Sequence, residues 1–140
     1  MGSFSDYVEA KVLDQVFSAA AYPTIATHYI ALYTANPTDA NASGTEVVGS
    51  VGYARVAVTN NATTWPGATG TAPTTKSNGI VITFGSPTGA GWGVVTGFAV
   101  YDASSSGNEI AWAALTASKT VNSGDAAPSF AIGALVITLD

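Results

Sequence analysis

The feature that most constrains this chain is a change of hydrophobic period after Pro23. Beyond that residue, short runs of β-branched and aromatic residues alternate with clusters of Gly, Asn, Asp, Pro and Ser, a pattern typical of strands joined by turns. The predicted strands cover residues 28–35, 53–59, 79–84, 94–102, 109–116, 118–122 and 130–139. We therefore expect a mainly β fold, an antiparallel, jelly-roll-like β-sandwich of about seven or eight strands.

The segment before this change has the period of a helix. Its apolar residues recur at three- and four-residue spacing, as they do on one face of an α-helix. We predict one N-terminal helix over residues 5–20, with Ser5 or Asp6 as its N-cap. The face that holds Val12 and Val16 packs either on the domain's own core or on a partner subunit, and the pattern does not decide between the two.

The strand predicted at 94–102 is apolar on both faces, so it needs cover on both. We expect one face to meet an opposing sheet and the other to meet the helix or a neighbouring subunit. With 140 residues, the chain has the size of one compact domain. We expect a single β-sandwich domain over 1–140, with the helix at 5–20 and the strands within 24–140.

Charge and cysteine content exclude several functional classes. Only 9% of the residues are charged and the net charge is −5, which argues against disorder and against nucleic acid as a partner. The absence of cysteine removes disulfides, thiolate nucleophiles and cysteine-ligated metals. The first residues lack the pattern of a secretion signal, and no apolar run approaches the roughly 18 residues of a membrane span. We expect no membrane partner.

Two long polar connections, 36–50 and 60–77, are the predicted surfaces for contact with other molecules. Trp65 lies in the second connection, where its ring either packs back on the domain or anchors an interface. Trp92 lies among glycines that we interpret as a turn leading into a strand. We list Val12, Val16, Trp65 and Trp92 as candidate interface residues.

Catalytic chemistry has little support in the sequence. His28 is the only histidine, no G-x-S-x-G motif is present, and a single histidine at a strand edge is most often a hydrogen-bonded structural residue. Asp102 and Glu109 flank a predicted turn over 103–108, where solvated turn residues explain them. We expect no catalytic residue and no cofactor-binding residue.

One segment resembles the start of a calcium loop. Residues 39–44 place oxygen ligands at alternate positions and glycine at the sixth, as an EF-hand does. The twelfth position, however, is Ser50 and not the required glutamate, and no helix pattern flanks the segment. A turn explains the same residues, so we expect no metal site and no cofactor.

Several segments, spread in order over almost the whole chain, together carry a resemblance to a known family. They read SFSDYVEAKVLDQVF, IALYTANPTDAN, GYARVAVTNNATTW, KSNGIVITF, WGVVTGFAVYDA, IAWAALTASKTVNSGD and PSFAIGALVITLD. In these segments the chain resembles small virion proteins of tailed bacteriophages, of the kind labelled tail-fibre-like or minor structural proteins. The resemblance implies a β-sandwich without catalysis, present in multiple copies and bound to other virion subunits.

Two functions are compatible with this resemblance. In the first, the protein is a non-enzymatic structural subunit of the virion, bound to the capsid surface as a decoration or cement protein, or bound to the tail. Its partners would be the major capsid protein or tail proteins, with a homo-oligomer expected. In the alternative, it is a tail fibre or tail-tip module whose loops around Trp65 and Trp92 recognise a host surface glycan. Both place the protein in the virion, after assembly in the bacterial host cytoplasm.

Overall fold

The computed structural model describes residues 3–40 and 43–139. These residues form one α-helix and ten strands, and every strand pairing is antiparallel. The strands are Ser3–Phe4 (β1), Thr27–Ala35 (β2), Thr45–Glu46 (β3), Val56–Thr59 (β4), Thr74–Ser77 (β5), Ile82–Thr83 (β6), Gly93–Tyr101 (β7), Glu109–Val121 (β8), Ser129–Phe130 (β9) and Val136–Leu139 (β10). The predicted mainly β, antiparallel fold with one helix is confirmed.

A main sheet carries most of the regular structure. Its strand order is β1-β8-β7-β2-β3, and β4 also pairs with β2. In the centre of this sheet Leu32 lies opposite Phe98 and Ala31 lies opposite Ala99. Because neighbouring residues of a strand point to opposite faces, these pairs place large apolar side chains on one face and small ones on the other.

Two short ribbons, β5–β10 and β6–β9, form a second layer. The hydrophobic core joins Ile82 of this layer, and Leu135 just before β10, to Leu32 and Phe98 of the main sheet. The ring of Phe130 on β9 lies 5.4 Å from that of Phe98, edge to face. The arrangement is sandwich-like, and its jelly-roll connectivity stays a prediction.

The other face of the main sheet is covered by the chain itself. Ala31, Tyr33, Ala99 and Tyr101 are buried there as a second cluster, with Tyr29 and Trp112 packed at its margin. The sequence pattern predicts the helix or a neighbouring subunit on this face. The cover comes instead from aromatic side chains of the sheet and, as described below, from an arginine.

The strands predicted at 109–116 and 118–122 form one strand, β8. The predicted break falls at an irregularity in its pairing with β7: Ala114 pairs with Gly97, whereas Lys119 pairs with Val95. Residues 115–118 therefore lie opposite Thr96 alone, as an enlarged β-bulge. Beside this irregularity Val95 and Phe98, three residues apart on β7, both enter the main core, so the alternation of faces along β7 is interrupted here.

The strand predicted at 130–139 is wrong as a continuous element. It divides into β9 and β10 because a turn at 132–135 interrupts it, with Gly133 at φ +77°. The buried amide of Asn78 holds this turn, since its Nδ2 donates to the carbonyl of Ala131 (2.8 Å) and its Oδ1 accepts from the N–H of Leu135 (2.9 Å).

Several other boundaries differ from those predicted. The segments predicted at 53–59 and 79–84 shorten to β4 and β6, whereas β2 and β7 lie within about one residue of their predicted ranges. Three short strands were not predicted, namely β1, β3 and β5. They lie in polar or terminal segments, where pairing with a neighbour and not side-chain pattern decides the backbone.

The helix, α1, spans Asp6–Phe17. Ser5 is its N-cap, and the Ser5 hydroxyl accepts from the N–H of Val8, so one of the two predicted caps is confirmed. The helix ends at Phe17, three residues before its predicted end, and its C-cap is Ser18, whose N–H donates to the carbonyl of Asp14. No helix in the described residues is long and apolar enough to cross a membrane.

Candidate docking surface

The start of α1 is fixed to the main sheet by hydrogen bonds. The N–H of Ser5 donates to the carbonyl of Ile110 (3.1 Å), and its hydroxyl donates to the carbonyl of Glu109. The N–H of Asp6 donates to the carbonyl of Asp39 (2.9 Å). These bonds satisfy groups that a helix start otherwise leaves unpaired, and they fix the direction in which the helix leaves the sheet.

The exposure of the apolar side chains rises along the same helix. Val8 is 3% exposed and belongs to the core, whereas Val12 is 40%, Leu13 58%, Val16 64% and Phe17 82% exposed. Val12 and Val16 follow Val8 at four-residue intervals and so continue its face. We call Val12, Leu13, Val16 and Phe17 the outer helix face. A contiguous apolar surface of this kind is typical of a protein–protein contact.

The charge beside this face is acidic. The helix carries Asp6, Glu9 and Asp14 against one base, Lys11. Both acids of the first turn favour the helix, since they lie near the positive end of its dipole. The last turn has no basic residue, so it offers a partner apolar side chains without a competing positive charge.

The two candidate tryptophans lie inside the molecule. Trp65 is 6% exposed and Trp92 is 4% exposed, both within the main core. The Asn61 side chain accepts from the N–H groups of Thr63 and Thr64 (2.9 Å each) and so forms the turn that folds Trp65 inward. Of the four candidate interface residues, only Val12 and Val16 are exposed in this chain.

Sequence reasoning missed a partly buried polar cluster around Arg55. The guanidinium of Arg55 binds both carboxylate oxygens of Glu46, at 2.9 and 2.8 Å. It also donates to the carbonyls of Ala103 (3.0 Å) and Ser106 (2.9 Å) and lies 3.7 Å above the ring centre of Tyr101. This geometry stabilises the second face of the sheet. Only the scarcity of basic residues could have drawn attention to Arg55.

Glu109 was predicted to be a solvated turn residue, and this is wrong. The side chain is 1% exposed, and burial, reinforced by the nearby charge of Asp39, raises its pKa to about 7. The hydroxyl of Tyr101 donates to its Oε2 (3.2 Å), while Oε1 has no hydrogen-bond partner among the described residues. Asp102, by contrast, binds Asn108 across the turn, at 2.7 Å to both its N–H and its Nδ2.

The calcium-like segment cannot be followed along its length, because Asn41 and Ala42 lie outside the described residues. Its first acid, Asp39, accepts from the indole N–H of Trp112 (2.7 Å). Among residues 3–40 and 43–139, no group of three His, Cys, Asp or Glu side chains is placed to hold a metal ion.

Comparison with known families gives a match over nearly the whole chain. The model of the family described as podophage GP4 fiber I protein gp80 matches residues 3–138. The chain belongs to this family. It is therefore a small structural protein of the tailed-phage virion, of the fibre-like kind. No curated protein matches the chain.

Membership of a phage fibre family indicates which kind of molecule the outer helix face can contact. Proteins of a virion associate with other virion proteins, and charge-poor apolar side chains are typical of the centre of such interfaces. The family match covers α1 as well as the sheets.

Proposed function

We propose that this protein is a non-catalytic subunit of the phage fibre apparatus that binds a neighbouring virion subunit through the outer helix face. The observation that carries the proposal is the rise in exposure along α1, from 3% at Val8 to 82% at Phe17. A helix fixed at its start and bare along its apolar face is suited to a contact that forms only on assembly.

The occupant of the face is a virion protein of a different kind and not a second copy of this chain. A pair of identical helices would bring Glu9 and Asp14 of one copy close to those of the other, on a chain whose net charge is −5. Like charges at close range oppose such a pairing. A neutral or basic partner surface avoids this repulsion, and several copies of the chain on one particle add to the strength of attachment.

A homo-oligomer through another surface stays a prediction. Sedimentation of the purified chain tests it directly. A monomer at micromolar concentration would leave the helix contact as the main route to assembly, whereas a stable oligomer would add a second contact to be located.

The proposed location is the fibre and not the capsid shell, and the support is the family description, which names a fibre protein. Capsid decoration, the other location compatible with a virion structural role, is the competing outcome. Electron cryomicroscopy of virions with and without the chain separates the two. We expect density to be lost at the fibres, while loss of a regular lattice of density on the capsid would overturn the location.

Copy number gives an independent measurement of location. Quantitative mass spectrometry of purified virions measures this number. For a fibre subunit we expect a copy number comparable to that of other tail proteins. A copy number close to that of the major capsid protein would contradict the fibre location and support decoration.

Recognition of a host glycan has little support in the fold. The two tryptophans that suggested it, Trp65 and Trp92, are both buried and offer no ring face for a sugar to stack on. Assembly in the bacterial host cytoplasm, which the resemblance to phage virion proteins implies, agrees with a chain that has no cysteine.

A further inference from the structure

The last turn of α1 is closed by hydrogen bonds although its apolar side chains are bare. The carbonyl of Asp14 accepts from the N–H groups of Ser18 (3.0 Å) and Ala20 (3.3 Å). Ala19, between them, has the left-handed conformation (φ +56°) in which helices commonly end. Phe17 therefore lies on a complete helical turn, and its 82% exposure does not come from a frayed end.

The chain after this turn returns to the domain. The N–H of Tyr22 donates to the side-chain oxygen of Gln15 (2.6 Å), and Tyr22 packs against the main core. The backbone that carries Phe17 is thus ordered before any partner binds, so binding avoids the entropic cost of ordering this segment. A large aromatic side chain in such a position is suited to anchor an interface.

An acidic group continues the outer helix face toward the start of the helix. Glu9 is exposed and lies four residues before Leu13 and eight before Phe17, the spacing of one helical face. Lys11 lies two positions after Glu9, on a different side of the helix, and its ammonium is 6.0 Å from the ring centre of Tyr7. Within the described part of the chain, the carboxylate of Glu9 joins no ion pair.

Taking the proposed function as given, we propose that the neighbouring virion subunit receives the ring of Phe17 in an apolar pocket and pairs Glu9 with a lysine or arginine beside that pocket. At a rise of 1.5 Å per residue, the eight residues from Glu9 to Phe17 place the basic group about 12 Å from the pocket. The ring supplies most of the binding energy. The charge pair fixes the direction in which the helix lies on its partner.

The charge of the helix decides which surface can cover it. A wholly apolar surface would bury the Glu9 carboxylate unpaired, which costs free energy, and an acidic surface would repel it. Asp14, three residues before Phe17, places a second exposed acid beside the ring. A pocket with a basic border avoids both costs, and it agrees with the usual anatomy of an interface, which is apolar at its centre and polar at its rim.

Competition between variant and wild-type chains during assembly tests the pocket. Both full-length chains are supplied in equal amounts to cells infected by a phage that lacks its own copy of the gene, and mass spectrometry of purified virions gives their ratio. We expect Phe17→Ala to be incorporated about tenfold less than the wild type, as for a hot-spot residue. Ile132→Ala truncates an apolar side chain outside the helix that is 66% exposed, and its ratio should stay near that of the wild type.

The same competition tests the charge pair. Glu9→Lys places like charges opposite each other, so we expect its incorporation to fall about tenfold. Asp125→Lys makes the same reversal at an exposed turn outside the helix and should compete as well as the wild type. Equal losses in these two variants would assign the effect to net charge and would overturn the pairing of Glu9.

The outcomes distinguish this proposal from the proposed function. If Val12→Asp/Val16→Asp is absent from virions while Phe17→Ala or Glu9→Lys competes as well as the wild type, the helix face binds a partner of different chemistry and the proposal is overturned. If all of these variants are incorporated normally, the proposed function fails as well. Circular dichroism checks each fold, and an unfolded Phe17→Ala would also overturn the proposal, because the ring would then serve the domain itself.

Discussion

The cluster around Arg55 and the outer helix face differ in how far the chain covers their side chains. At Arg55, three donor groups reach a carboxylate and two carbonyls, and an aromatic ring covers the guanidinium. On the helix, Phe17 is 82% exposed and Val16 64%. The chain can therefore enclose even a charged group where its own stability depends on it. The exposed helix face is accordingly best explained by a partner.

The largest expected effect is on the Arg55 side of this comparison. Arg55→Met removes the charged partner of Glu46, whose carboxylate keeps, among the described residues, only the Tyr53 hydroxyl as a donor, and it removes the donor of two carbonyls. The arginine side chain is 8% exposed and that of Glu46 27%. Breaking a buried pair in this way costs about 3 kcal/mol of the free energy of unfolding, measured by urea denaturation. Lys119→Met removes an exposed positive charge and should change stability by less than about 0.5 kcal/mol. Equal effects of the two variants would contradict the stabilising role of the cluster.

The next effect is a dependence of stability on pH through Glu109. Burial raises its pKa from 4.5 to about 7 in the folded protein, so between these values the folded state binds more protons than the unfolded state. The free energy of unfolding therefore falls as pH rises from 4.5 to 7, by up to about 3 kcal/mol. We expect thermal unfolding to show this slope.

Glu109→Gln provides the control, because it keeps the shape of the side chain and removes its titration. Its stability should vary less over the same pH range than that of the wild type. A slope of the same size in the variant would show that other groups, and not Glu109, produce the pH dependence.

Smaller losses in the free energy of unfolding are expected at the two ends of α1. Ser5→Ala removes the N-cap and the hydroxyl bond to the carbonyl of Glu109, at a cost of about 1 kcal/mol. Ser18→Ala removes an exposed bond to the carbonyl of Asp14 and should cost less than about 0.5 kcal/mol. Chemical denaturation measures both, and a larger loss at Ser18 would contradict the fixed-start, free-end description of the helix.

The sequence predicts the elements whose local pattern and packing agree. The alternation in β2 and β7 and the helical period of α1 were sufficient to locate these elements, and Ser5 was one of two predicted caps. The division at Gly133 was not predicted, because the partner that stabilises the turn is Asn78, more than fifty residues earlier in the chain.

The candidate site was predictable only in part. Helical spacing places Val12 and Val16 on one face of the helix. It leaves open whether that face packs on the domain's own core or on a partner, and the exposure of both side chains argues against the core.

The burial of Trp65 depends on the turn at Asn61, and Glu109 is held by Ser5 and by Tyr101 of β7. The Asn61 turn is local, but the Trp65 ring packs against His28 on β2, and the Ser5 hydroxyl reaches the carbonyl of Glu109 from 104 positions away. No local pattern reveals these long-range contacts.

The central claim is that the outer helix face serves assembly and not folding, and virion incorporation of Val12→Asp/Val16→Asp tests it most directly. Both side chains are exposed, so we expect circular dichroism and the melting temperature to stay close to those of the wild type. The control Val48→Asp/Val81→Asp makes the same change of charge at two exposed valines outside the helix. We predict that the control is incorporated into particles and the helix variant is absent; normal incorporation of a folded helix variant, or its failure to fold, would contradict the claim.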